Sequence, residues 1–177
     1  MKKLVFIVAG VLLFLSLFLI YSKMGSNINV LAKVQGQIYI NNNFGFSLTF
    51  PESWNGNYII KDDKDFITIS FMGKSKVGQG LAGSKEGLPM FYIGTENYVR
   101  STEFIDSVRK IGKARNVNYY YFTDTDYPVG VLTDYLQDQL MDIKEKSLMK
   151  KDYIKAKAME KEINSVLSTF KPIEISQ

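Results

Sequence analysis

Residues Phe44 to Trp54 read FGFSLTFPESW, and this stretch decides the fold. Phe44, Phe46, Leu48 and Phe50 alternate with Gly45, Ser47 and Thr49, and a period of two puts the large apolar side chains on one face of a strand. Pro51 has no N–H to give to a ladder, so the strand ends there. The Pro-Glu-Ser-Trp corner that follows carries the only tryptophan of the 177 residues. Working outward, Gln37 to Asn41 reads as a short preceding strand, with Asn41-Asn42-Asn43 as the turn between the two. On the other side Asn55-Gly56-Asn57 marks a second turn. Strands over Tyr58 to Lys61 and Phe66 to Met72 follow, joined across the polar Asp62 to Asp65.

Leu88 to Gly94 is the next expected strand, and Thr95 caps a helical turn over Glu96 to Arg100. Phe104, Ile105, Val108 and Ile111 have helical spacing, with Gly112 as a possible stop. Val117 to Phe122, VNYYYF, puts Tyr119 and Tyr121 on one face and Tyr120 and Phe122 on the other. Rings on both faces imply a central strand covered by helices on each side. The alternative use of such rings is a sugar-stacking platform, for which Tyr120 is the candidate. From Pro128 the chain turns helical. Leu132, Tyr135, Leu136, Leu140 and Ile143 form one amphipathic stripe, and Ala156, Met159, Ile163, Val166, Leu167 and Phe170 form a second. Asp152 is placed to cap the second helix and Pro172 to stop it.

The run NNNFGFSLTFPESWNGNYII (41–60), then FITISF (66–71), LPMFYIGT (88–95), VNYYYF (117–122) and a closing INSVLSTF (163–170), resembles the PsbP-like fold. That family is known from the P subunit of the photosystem oxygen-evolving complex and from membrane-anchored or secreted bacterial proteins. The resemblance spans about Gly36 to Phe170. It implies an α+β domain, an antiparallel sheet sandwiched by helices, and a hairpin of Val108 to Ala114 against Val117 to Thr123 in place of the helix. Both readings of that region stand, with the hairpin preferred for its latter half. None of the photosystem subunits' functional residues is matched, so no photosynthetic role carries over; a fold does not fix a function.

Composition narrows the chemistry. The chain has no cysteine and no histidine. That excludes a Ser-His-Asp triad, a thiol nucleophile, a disulfide, a Cys/His zinc site and a lipid anchor on cysteine. No cofactor is expected. Of the 22 Lys and Arg, Lys2, Lys3 and Lys23 flank an apolar segment, which leaves 19 against 18 acidic residues. The body is close to neutral, so no nucleic-acid partner is expected.

Location is read from the N-terminus. Leu4 to Tyr21 is LVFIVAGVLLFLSLFLIY, 18 uncharged residues that span ~27 Å as a helix, enough for a bilayer's hydrocarbon core. A cleaved signal peptide is the alternative, but no small-x-small site follows Tyr21 closely. Two lysines before the segment and one after it place the N-terminus inside and the bulk of the chain outside. The expected organisation is an anchor (1–23), a linker (24–35) and an extracytoplasmic PsbP-like domain (36–177). The expected partners are the lipid bilayer, through Leu4 to Tyr21, and an envelope protein or polymer.

Several motifs carry candidate chemistry. Gly78-Gln79-Gly80-Leu81-Ala82-Gly83 is a formal G-x-G-x-x-G, but a nucleotide site needs a helix to follow, and Ser84 to Pro89 cannot start one of useful length. The expectation is a flexible loop, with Gly78, Gly80 and Gly83 as possible ligand contacts. Arg109, Lys110, Lys113 and Arg115 form a basic group suited to lipid phosphates or an anionic wall polymer, or simply a solvated face. Asp124 and Asp126 lack the spacing of a calcium loop. Ser147-Leu148-Met149-Lys150 matches the S-x-x-K of penicillin-binding enzymes without its companion S-D-N and K-T-G elements. The expected function is a non-catalytic, membrane-tethered interaction module. A small-ligand or wall-polymer binding domain, and a carboxylate- or Ser/Lys-dependent hydrolase, are the alternatives.

Overall fold

Two strands open the fold as an antiparallel pair. β1 (Gln37–Asn41) runs against β2 (Phe46–Phe50) with Gln37 opposite Phe50 and Asn41 opposite Phe46. Phe46, Leu48 and Phe50 are fully buried, while Ser47 and Thr49 are half-exposed, as the alternation requires. Phe44 is also buried, but it belongs to the turn. Asn41 closes that turn by accepting the Phe44 N–H on Oδ1 (2.8 Å). A 3₁₀ turn, Glu52–Trp54, carries the tryptophan inward, and the ring is 0% exposed.

The described residues are 36–81, 84–102, 107–123, 128–138 and 141–173 of a computed structural model, all within the compact unit Gln35–Gln177. The anchor Leu4 to Tyr21 and the linker lie outside them, as do Gly83, Phe104, Ile105, Asp124, Asp126 and Leu140.

A second antiparallel sheet follows, built from β3 (Tyr58–Asp62), β4 (Phe66–Phe71), β5 (Leu88–Thr95), β6 (Ser107–Ala114) and β7 (Val117–Thr123). Its strand order is β3-β4-β5-β7-β6. Between β5 and β6, α1 (Glu96–Ser101) is capped by Thr95, whose hydroxyl accepts the Tyr98 N–H. The hairpin reading of 107–123 therefore holds, and the helical spacing of Val108 and Ile111 does not become a helix. Arg115 and Asn116 take positive φ (47° and 65°), the tight turn whose twist matches a two-stranded ribbon.

Two helices complete the domain. α2 (Val129–Leu136) and α3 (Ile143–Ser168) pack on each other. The first stripe expected from sequence breaks up: α2 stops at Leu136, and Ile143 is 87% exposed at the start of α3. Asp152 does not cap a helix. Asp142 does, accepting the Glu145 N–H, and Asp152 sits 4% exposed among Met149, Ala156, Met159 and Ile163 on the buried stripe of a 26-residue helix. After α3 the chain adds β8 (Lys171–Pro172), which pairs with β2 and completes a three-stranded sheet, β1-β2-β8.

The architecture is thus α+β with two antiparallel sheets. The face of β7 that carries Tyr119 is covered by the small sheet: Phe46 lies edge-on to Tyr119 at 5.1 Å, and Phe50 stacks on Tyr58 of β3 at 4.7 Å. α3 closes the same core. The opposite face carries Phe66, Tyr92 and Phe122 against Tyr98 of α1. β7 is covered on both faces as expected, by the small sheet together with α3 on one side and by the six-residue α1 on the other.

Candidate functional site

The glycine loop does cradle an anion, and the anion is the protein's own. The Asp152 carboxylate reaches from α3 into residues 73–78. Its Oδ2 accepts the Lys74 N–H (2.9 Å), the Ser75 N–H (2.7 Å) and the Ser75 hydroxyl (2.6 Å). Ser75 Oγ in turn accepts the Gly78 N–H at 2.9 Å. Glycine is required here for closeness: a Cβ on Gly73 or Gly78 would lie 2.3 or 2.4 Å from Asp152 Oδ2. Glu145 adds a second tie by accepting the Lys76 N–H. Gly80 bonds through its N–H to the Val77 carbonyl. The donors that a bound phosphate would need at Gly78 and Gly80 are therefore engaged within the protein.

The basic group does not form one surface. Arg109 points to the core side of the sheet, over the Tyr121 ring at 5.4 Å, and donates to Asn164 of α3 at 3.0 Å. There it borders a shallow hollow of about 210 Å³ between β6 and α3. Lys110 and Lys113 pair across from Tyr120 and Asn118, on the face that carries Phe122. Arg115 folds onto the β1–β2 turn, donating to the Asn43 carbonyl at 3.0 Å. Tyr120 is half-buried beside Lys110 and opposite Gly94. Ser147 and Lys150 lie exposed on α3. Among the described residues no group of three Asp or Glu side chains is placed to hold a metal ion.

A more capacious hollow lies elsewhere among the described residues, on the outer face of the five-stranded sheet. It is a groove of about 490 Å³, within the usual size range of ligand sites. Phe66, Thr68 and Ser70 of β4 and Tyr92 of β5 line it, with Leu81 and Pro89 beside them. Each ring is held by an internal partner. Phe66 stacks on Tyr98 at 4.4 Å, and Tyr92 stacks on Phe122 at 5.1 Å with the planes 9° apart. Gly94 makes room for them, since a Cβ there would meet Phe122 and Tyr98 at 3.1 Å. The rim is charged: Lys61 and Glu86 form an ion pair at 3.3 Å across the mouth, and Asp63 stands beside them.

Sequence reasoning placed possible ligand contacts at the glycines and missed the groove. The signal was present in FITISF, where Ile67, Ile69 and Phe71 alternate with Phe66, Thr68 and Ser70. The second set is a ring and two hydroxyls on one face, too polar for a second core. Comparison with models of known families, with curated proteins and with solved structures finds no match.

Proposed function

We propose that this chain is a membrane-tethered binding module: a single-pass anchor over Leu4 to Tyr21 holds a PsbP-like domain outside a bacterial cell, where it retains an envelope component without transforming it. The observation that carries the binding reading is the groove, a preformed hollow with aromatic walls and a charged rim built on hydrogen-bonded strands. Rigid strands hold such a surface ready without an ordering cost on binding. The order of elements from β1 to α3 supports the PsbP-like assignment, with the short sheet β1-β2-β8 lying over the larger one. The apolar run and its flanking lysines support the tether.

Two measurements test this. Protease added to intact cells should degrade the domain while sparing a cytoplasmic control; protection would overturn the orientation. An envelope extract should raise the melting temperature of the full-length protein, and should do so less for the doubly substituted rim Asp63→Asn/Glu86→Gln. A ligand present at 100 times its Kd adds ~2.7 kcal/mol. An equal shift in both proteins would move binding away from the groove, and no shift in either would remove the binding reading.

A further inference from the structure

We infer that the groove takes a neutral oligosaccharide, an assignment that rests on the binding reading above and names its ligand class. Charge comes first. Lys61 pairs with Glu86, and Asp63 lines the same groove, so the rim carries one more carboxylate than ammonium and opposes a phosphate or a polyanionic chain. The backbone comes second. β4, which forms the floor, is hydrogen-bonded to β3 on one side and β5 on the other. Its N–H and C=O groups are engaged, so an extended peptide cannot be recognised there by adding to the ladder. Recognition falls to side chains.

Those side chains offer two kinds of contact. Phe66 and Tyr92, clamped by Tyr98 and Phe122, give rigid ring surface that an apolar C–H face can cover. Thr68, Asp63, Glu86 and Lys61 give a hydroxyl, carboxylates and an ammonium at the margin, a mixed set of donors and acceptors. A pyranose has the matching form, with one C–H face and a girdle of hydroxyls that both donate and accept.

The test uses full-length protein in a detergent without sugar headgroups, titrated calorimetrically with chitotriose, cellotriose and maltotriose, and with inorganic tripolyphosphate as the anionic probe. At least one trisaccharide should bind saturably, with affinity at least tenfold weaker in Asp63→Asn/Glu86→Gln and unchanged in Lys144→Ala, whose side chain is exposed on α3. Tripolyphosphate should give no groove-dependent heat. No saturable binding by any of the three sugars, or binding indifferent to the rim substitutions, overturns the saccharide assignment. If the sugars fail while an envelope extract still stabilises the wild-type protein more than the rim variant, the ligand class is wrong and the binding reading survives. If both fail, the two fall together.

Discussion

Trp54 and Asp152 are the residues on which separate parts of the chain converge. The Trp54 ring is fully buried, and its Nε1 donates to Glu162 of α3 at 2.7 Å, alongside the Ser53 hydroxyl at 2.9 Å on the same oxygen. Lys155 of α3 donates to the Ser53 carbonyl, so helix and corner hold each other from both ends. Trp54→Ala should lower stability by ~3 to 5 kcal/mol in urea denaturation. Trp54→Phe should cost less, because it keeps most of the packing. Asp152→Ala would strip the acceptor from the Lys74 and Ser75 N–H groups and the Ser75 hydroxyl, and a loss of about 3 kcal/mol is expected. Gly78→Ala should cost ~1 to 3 kcal/mol by forcing a methyl against the same carboxylate, whereas Gly56→Ala, with open space around it, is strained only by its φ of +72°. The burial of Trp54 was legible in its sequence neighbourhood, since a strand whose apolar face runs into a corner carries that corner inward. The role of Asp152 was not. An acid in a lysine-rich stretch reads as a cap or a solvated charge, and only the tertiary approach of Gly73 and Gly78 turns it into a buried acceptor.

Among the elements, the β6–β7 hairpin was the hardest to read and is the easiest to test. The period-3.6 spacing of Val108 and Ile111 does not mark a shared face: Val108 lies opposite Phe122 and is 44% exposed, Ile111 packs against the core, and β6 carries an irregularity between Lys110 and Gly112 that shifts the register by one residue. A bulge breaks the two-residue alternation that announces a strand. The turn gives the better signal: Arg115 and Asn116 both need positive φ, and asparagine tolerates it. Asn116→Gly should be neutral or stabilising, while Asn116→Ala should cost about 1 kcal/mol and Asn116→Val more, read from the denaturation midpoint. The strands from β1 to β5 were legible to within a residue or two at each end: β2 alternates cleanly, and the others are short apolar runs bounded by turn residues such as Asn41-Asn42-Asn43, Asn55-Gly56-Asn57 and Asp62 to Asp65. β8 was not, because two residues after a helix carry no period, and its existence depends on β2 being at hand.

Taken as a whole, the molecule should have an unusual pH profile. With no histidine and no cysteine, no side chain has an ordinary pKa between the carboxylates and the tyrosines, so stability should be nearly flat from pH ~6 to ~9. The alkaline limb is set by tyrosines. Burial pushes Tyr39, Tyr58, Tyr119 and Tyr121 up, and the hydrogen bond from the Tyr39 hydroxyl to Asp62 raises Tyr39 further. Each therefore keeps its proton longer in the folded state than in the unfolded chain. The stability this contributes is fully present below the ordinary tyrosine pKa of about 10 and is lost as pH rises through the folded values. On the acid side two groups act in opposite directions. Glu96 is held below the usual carboxylate range by the Asn118 amide and by Arg100, so its contribution is present at neutral pH and lost on acidification. Glu160 is raised by burial beneath the start of α2, so its contribution is present at low pH and lost as pH rises through its folded value. The two partly offset, and the acid limb should be shallow next to the alkaline one. Urea midpoints measured from pH ~4 to ~11, with tyrosinate absorbance followed in parallel, check this. These four tyrosines should ionise together with unfolding, and replacing Tyr39 with Phe, which removes its ionisable hydroxyl, should make the alkaline limb less steep. An alkaline limb unchanged by that substitution, or tyrosinate appearing in full before the structure is lost, would contradict the burial of these rings.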